Sequence, residues 1–475
     1  VRYSLSSVLG LRKFRNSTTS KLTLRVAVRK LGHRTTTDHL LEEFLMPKQT
    51  RRQFVETLMA ETLGVSLLTW PGLAAAETPP PANRKKLAVV TTLWNYRSHA
   101  WHMAERFLVG YPLQGKWHQP PFEVVSAYVD QKPEGDLSHK RAAEFGFKVY
   151  PTVAEALCHG GDKLAVDAVL LIGEHGDYPI NEYGQKQYPR HKLFMEIADV
   201  YKKSGRSAPV FNDKHLSWNF EWAKEMVDTS KALGFPFLAG SSLPVTWRMP
   251  SIEIPYGADV EEVLCVAQGP TDIYDFHALE ALQSFIERRR GGETGIKWVH
   301  TVRGEAVWKM LQSGSFANGG WSPELFEACL SRSQTLKQPE SYSHRYPTPE
   351  QMREWVKEPI AYRFEYNDGL HATMLLMNGL VDDFNVAAKL RGQSEPLSTL
   401  FYLPPNPNVV YSAALMSNAE KMFVSGKAPY PVERTLLTSG LVQSALQSLK
   451  LQKRLETPHL AVKYTAPQES AFWKS

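Results

Sequence analysis

Cysteine is scarce in this 475-residue chain: Cys158, Cys265 and Cys329 are the only three. None forms a C-x-x-C pair, so neither a disulfide framework nor a structural zinc site follows, and all three read as buried thiols. Downstream of the N-terminal segment there is no run of eighteen apolar residues, so no stable membrane span is expected. Internal repeats are absent. A basic body is missing too. Residues 1–53 hold twelve Lys and Arg against three Asp and Glu, which leaves a net of −3 for the rest of the +6 chain. Nucleic acid is therefore not an expected partner, since its recognition needs a basic face on the folded body.

What is present is ordinary for a soluble protein of two or three domains, with 43% hydrophobic and 22% charged residues. The stretch "MPKQTRRQFVETLMAETLGVSLLTWPGLAAAE", Met46–Glu77, has a basic start, Arg51-Arg52 with Phe54, an apolar stretch and Ala74–Ala76. That layout resembles a twin-arginine export signal over residues 46–76, which implies the twin-arginine machinery as partner and a periplasmic or otherwise exported bacterial protein. Glu56 and Glu61 interrupt the apolar stretch, and an amphipathic helix after a chance Arg-Arg is the alternative. Residues 1–45 read as an upstream extension or a disordered basic arm, and residues 77–85 as a Pro-rich linker.

From Lys86 the pattern alternates. "KLAVVTTLW", "FEVVSAYVD", "KVYP", "VDAVLLIG", "APVF" and "FPFLAG" read as strands. Helical patterns stand between them, including Ser98–Val109 as one helix and "WNFEWAKEMVDTSKALG". The spacing predicts βαβ units, hence a Rossmann-like doubly wound parallel sheet over residues 86–243. After Pro250 the texture changes to an α+β domain, residues 244–465, with an open, largely antiparallel sheet. It includes a hairpin around Asn367-Asp368-Gly369. Ser331–Pro349 reads as a surface loop and residues 466–475 as a tail.

"KVYPTVAEAL" with "LAVDAVLLIGEH", "PVFNDKHLSWNFEWAKEMVDTSKALGFPFLAG", "DFHALEALQSF" and "FVSGKAPYPVERTLLTSGLVQSALQS" follow one another in the order and spacing of the Gfo/Idh/MocA oxidoreductases. From Lys86 to about Tyr464 the chain resembles a divergent member of that family, which includes glucose–fructose oxidoreductase and inositol dehydrogenases. The resemblance implies hydride transfer between NAD or NADP and a sugar or polyol hydroxyl. It also implies a substrate pocket on the face of the second sheet, and a possible homo-oligomer through that domain. Lys214 matches the family lysine that moves the hydroxyl proton, and His277 the histidine facing the substrate. Arg248, at the domain junction, is a further catalytic candidate, with an interdomain salt bridge as its alternative.

The motifs are altered. The first βα turn, "TTLWNYRSH", contains no glycine, although close backbone approach to a pyrophosphate requires one. Trp94 and Tyr96 place bulk there, which reads as a plugged cleft. The counter-reading is a rebuilt cofactor site of Thr92, Asn95, Arg97, Ser98, Asp130, His175 and Lys214, with Ser98 or Asn95 capping the helix and Arg97 on phosphate. A non-catalytic carbohydrate-binding protein is the function that a plugged cleft leaves. Lys214 beside Asp213 also reads as a structural ion pair. The polar stretch "GEHGDYPINEYGQKQYPRH" supplies Glu174, His175, Asp177, Glu182 and His191, which with Asp213 and His215 could serve a metal-assisted hydrolase or lyase. A loop bonded to itself is the alternative, and no metal residue is assigned.

Overall fold

The computed structural model describes residues 83–405 and 408–474. The export signal, the upstream extension and most of the linker lie outside the described residues. Mostly apolar runs form the first sheet. Its strands are β1 (Lys85–Thr91), β4 (Phe122–Val129), β5 (Lys148–Tyr150), β6 (Ala168–Ile172), β7 (Val210–Asp213) and β8 (Phe237–Gly240), while β2 (Tyr111–Leu113) and β3 (Lys116–His118) form a separate hairpin between β1 and β4 in the sequence. The six-stranded sheet has the order β5-β4-β1-β6-β7-β8, with every pair parallel. All five residues of β6 are buried, as a strand between two helix layers requires.

The helices start and stop where their caps predict. Asn219 accepts from Trp222 N–H at the start of helix Phe220–Ala232, and Thr152 accepts from Glu155 N–H at the start of Val153–Leu157. Gly146 and Gly205 end their helices in the left-handed conformation. The expected Ser98–Val109 helix is instead two five-residue helices, His99–Met103 and Glu105–Val109, joined at Ala104.

The second sheet comprises β9 (Arg248–Met249), β10 (Val260–Ala267), β11 (Ile296–Arg303), β12 (Ile360–Tyr366), β13 (His371–Leu376), β14 (Phe384–Leu390), β15 (Leu397–Phe401) and β16 (Leu455–Glu456). Its order is β16-β11-β12-β13-β10-β14-β15-β9, antiparallel except where β10 runs parallel to β13. Along β10, Val263, Cys265 and Ala267 join the core that includes helices Tyr274–Ile286 and Glu433–Leu451. Leu264 and Val266 join another with Trp308, Trp321 and Leu325. Helix Pro323–Arg332 lies on that outer face.

The tail expected at 466–475 is packed. Trp473 N–H donates to Val245 C=O (3.0 Å), and Phe472 is buried. All three cysteines are buried and free. No described helix is long and apolar enough to cross a membrane.

The two sheets meet through helix Tyr274–Ile286. Its Glu280 is buried and accepts from Ser241 N–H (2.6 Å) and Thr435 Oγ1–H (2.8 Å) at the end of β8. A Cβ at Gly240 would stand 2.7 Å from Glu280 Oε1, so this close approach needs glycine, at φ +124°. Burial pushes the Glu280 carboxyl up to about 7, against its hydrogen bonds and Arg434. The folded state then binds one proton more than the unfolded state between the ordinary glutamate value and about pH 7. Stability therefore falls as pH rises through that window. Glu280→Gln has no such proton. Its melting temperature, measured from pH 4 to 8, should gain on the parent across that window and hold a constant offset above it. A parallel pair of curves would show that the Glu280 carboxyl has the same pKa in the folded and unfolded states.

Candidate functional site

A cavity of about 220 Å³ opens at the carboxyl ends of β6, β7 and β8, where open α/β sheets bind ligands. Its centre is one carboxylate. Glu174, the second residue after β6, is 4% exposed. It accepts from Lys214 Nζ (3.2 Å) and forms an ion pair with the guanidinium of Arg190, which is fully buried. Burial opposes ionisation of Glu174, but Lys214 and Arg190 override it and hold the carboxyl well below the usual range. Arg190 begins the helix Arg190–Ser204, and its Nη1 also donates to His215 Nε2 (2.9 Å). A Cβ at Gly173 would lie 2.6 Å from Arg190 Cγ, so the arginine reaches Glu174 only over a glycine.

Lys214 has φ 60°, His175 φ 71° and Asp272 φ 65°. Three non-glycine residues in the left-handed region, two lining one cavity and the third beside Ile273 of its wall, mark strain concentrated at a site.

The remaining wall is imidazole. His99, His102, His175 and His277 line the cavity with Asp213, Tyr274 and Tyr411. His99 Nδ1 lies 2.5 Å from Asp213 Oδ2, which leaves Nε2 as the ring nitrogen free for the cavity. Burial, then the Glu174 charge, push the Asp213 carboxyl up to about 7 against the pull of Lys214. Burial, then Lys214, hold His99 and His277 well below the ordinary histidine value, so both rings are neutral bases at neutral pH.

The expected residues fall into three groups. Lys214, His277 and His175 meet in the cavity. The expected Lys214–Asp213 ion pair does not form: Lys214 pairs with Glu174 and Asp213 with His99. Arg248 is not at the cavity. Its guanidinium is enclosed by Phe285, Phe401 and Phe472, with centroids at 5.8, 4.8 and 4.2 Å, and reaches only Ile252 C=O (3.3 Å). No carboxylate pairs with it among the described residues, so its interdomain salt bridge is also absent, and burial lowers its pKa to about 9.

The third group lies along the path of a dinucleotide over these strand tips. Thr92 Oγ1 donates to Glu174 C=O (2.8 Å). Ser98 caps its helix, accepting from Trp101 N–H, and also accepts from Asn95 N–H (3.1 Å). That helix has five residues, too few for a strong dipole. Arg97 is exposed and lies over the Tyr96 ring at 5.5 Å. Trp94 does not plug the cleft. It is buried, stacks on Phe147 (5.7 Å) and donates to Glu105, while Tyr96 is 64% exposed.

The loops themselves close the crevice. Asp130 accepts from Tyr128 and Tyr178 hydroxyls, both at 2.7 Å, so its carboxylate is already engaged where a ribose would bind. Gln131 Nε2 donates to Asp177 C=O (2.9 Å) and Asp177 N–H donates back to Gln131 Oε1 (2.8 Å), joining the loops after β4 and β6. In this conformation the loops after β4 and β6 are tied together over the adenosine end of the crevice.

The polar stretch after β6 is largely bonded to itself. Asn181 Oδ1 accepts from Tyr183 and Gln185 N–H groups. Asp177 joins Gln131 through its backbone, His191 pairs with Glu225 (2.7 Å), and His215 faces Arg190. Among the described residues, no group of three or more His, Cys, Asp or Glu is arranged to hold a metal ion.

Sequence reading missed His99, Arg190 and Tyr178. Each acts through a partner 114, 16 or 48 positions away. The one local signal was "RSHAWH", histidines at a helix start on a strand tip.

No family model matches the chain, and no curated protein sequence does. Solved structures with a similar fold include myo-inositol 2-dehydrogenase from Lactobacillus plantarum, with 10% identity, 78% of this chain and 99% of that one covered, and a TM-score of 0.46. Myo-inositol dehydrogenase from Lactobacillus casei, solved in complex with NAD(H) and myo-inositol, has 12% identity, 78% and 96% coverage and a TM-score of 0.47. At that identity and TM-score the chemistry of the site rests on its own residues.

If the two loop contacts exclude the nucleotide, removing them should admit it. Tyr178→Phe with Gln131→Ala should bind NAD(H) or NADP(H) at least tenfold tighter than the parent, about 1.4 kcal/mol. Thermal shift at millimolar nucleotide reads this directly, because a ligand at a hundred times its Kd adds about 2.7 kcal/mol of stability. Equal shifts for parent and variant would show that the contacts do not exclude the nucleotide.

Proposed function

We propose that this cavity binds a neutral sugar or polyol and takes a proton from one of its hydroxyls, as in an oxidoreductase of this fold. The observation that supports it most is the Glu174 clamp. Lys214 is held as one partner of an ion pair, while the bases that face the cavity are neutral imidazoles. Both cations at the cavity, Lys214 and Arg190, are already paired with Glu174, which suits an uncharged polyhydroxylated ring more than a phosphate or carboxylate. The volume suits one six-membered ring.

In this reading Lys214 donates to the hydroxyl oxygen and stabilises the negative charge that develops there. The proton passes to His277 or to His99 Nε2, with Asp213 on Nδ1 fixing the His99 tautomer. Lys214 is then an oxyanion donor rather than a proton shuttle. NAD or NADP is the redox partner of this reading, and it enters only if the Gln131–Asp177 and Tyr178–Asp130 contacts release.

A second reading, a carbohydrate-binding protein without hydride transfer, is favoured by those same closed contacts. It keeps the cavity and drops the chemistry.

Lys214→Met separates chemistry from scaffold. Glu174 keeps Arg190, so the variant should fold and lose about 1–3 kcal/mol rather than the 3–5 kcal/mol of a buried charge left alone. NAD(P)-dependent oxidation across a panel of inositols and aldoses should fall by roughly 10²–10⁴-fold. Unchanged turnover would remove Lys214 from the site. A parent that binds the sugars without oxidising any would decide for the second reading.

Export through the twin-arginine route is part of this proposal and rests on Arg51-Arg52 and Ala74–Ala76. Replacing both arginines by lysine should leave the protein in the cytoplasm of a bacterial host. Unimpaired export of the doubly substituted chain would contradict it.

A further inference from the structure

The inner cavity does not end at its aromatic wall. A second chamber of about 510 Å³ adjoins it, and Tyr274, Leu403 and Tyr411 line both. Tyr274 is fixed between them. Its ring is near-parallel to Phe384 (centroids 6.2 Å apart, 11° between planes). A Cβ at Gly269 would lie 2.2 Å from Tyr274 Cγ, so the ring sits over a glycine, at φ +103°. The two chambers thus share one wall.

The outer chamber has its own chemistry. Among the described residues, no Lys, Arg or His lines it. Asp382 and Asp383 do, with Gln334 and Tyr402. Asp383 is held in place, accepting from Ser333 Oγ (2.9 Å), Gln334 N–H (2.7 Å) and Asn385 Nδ2 (2.6 Å). Asp382 is exposed, its backbone N–H donates to Thr335 Oγ1 (2.7 Å), and its carboxylate enters no ion pair among the described residues. Tyr402 packs edge-on against Trp247 (6.3 Å). Aromatic faces bury the C–H faces of a pyranose, while carboxylate and amide oxygens accept from its hydroxyls. A phosphate or uronate would meet two carboxylates and no cation, and like charges repel.

We infer that the outer chamber binds a second sugar unit, neutral or amino-substituted, joined to the one whose hydroxyl lies beside Lys214. The substrate class is then a disaccharide or glycoside rather than a free monosaccharide. This rests on the sugar-hydroxyl reading of the inner cavity.

Calorimetric titration tests it with one-ring probes (myo-inositol, glucose), two-ring probes (maltose, cellobiose, chitobiose) and trehalose 6-phosphate. At least one neutral or amino two-ring probe should bind roughly tenfold tighter than the one-ring probes, as an added aromatic anchor allows. Tyr402→Ala should abolish that gain, and Tyr402→Phe, which keeps the ring, should restore it. Melting curves of both variants confirm that they fold. One-ring binding without a two-ring gain, a gain that survives Tyr402→Ala, or trehalose 6-phosphate binding as tightly as the neutral disaccharides would each overturn the inference while leaving the inner site intact. If no sugar of either length binds, the inner-site reading fails and takes this one with it.

Discussion

One buried carboxylate organises the site. Glu174 stands where a strand of hydrophobic residues ends, and an unpaired charge there would cost several kcal/mol. Two cations prevent that. Arg190 reaches it from the start of the next helix and Lys214 from the next strand tip. Gly173 makes room for one, and a left-handed backbone at Lys214 aims the other. Burial, then the Lys214 charge, keep the neighbouring rings of His99 and His277 neutral. Removing Glu174 would leave two cations facing each other, whereas removing Lys214 leaves Glu174 its pair with Arg190.

The strain and the closure belong to the same design. His175 is held in the left-handed region directly after Glu174, and Gly176 follows it at φ +110°. A Cβ at Gly176 would lie 2.7 Å from the Tyr178 ring, so the chain doubles back tightly enough for Tyr178 to reach Asp130. The loop that carries the clamp thus also covers the crevice. A change that opens one disturbs the other, which couples nucleotide access to the geometry around Lys214.

Much of the architecture was legible in the sequence. Apolar runs of strand length, separated by capped helices, read as a doubly wound sheet, and Asn367-Asp368-Gly369 read as a hairpin. β14 went unread because "FNVAAKL" is poor in β-branched residues and gains its place from β10 and β15. Lys214 and His277, which both line the cavity, were singled out by their match to the family motifs. Their partners were not. Asp213, adjacent to Lys214, looked like its ion-pair partner, yet the strand ends at Asp213 and a left-handed backbone turns Lys214 to Glu174 while Asp213 meets His99. Arg248 showed the reverse error: an arginine at a domain junction suggested a ligand, and the fold boxed it in phenylalanine.

The central claim is that the cavity at the strand tips is a sugar-hydroxyl site built on the Glu174 clamp. Crystals soaked separately with myo-inositol and with glucose address it directly. The account predicts a ring in the inner cavity, with one hydroxyl oxygen within hydrogen-bond distance of Lys214 Nζ and of His277 or His99. A ring seated elsewhere, or an inner cavity holding only water at saturating sugar, would contradict it.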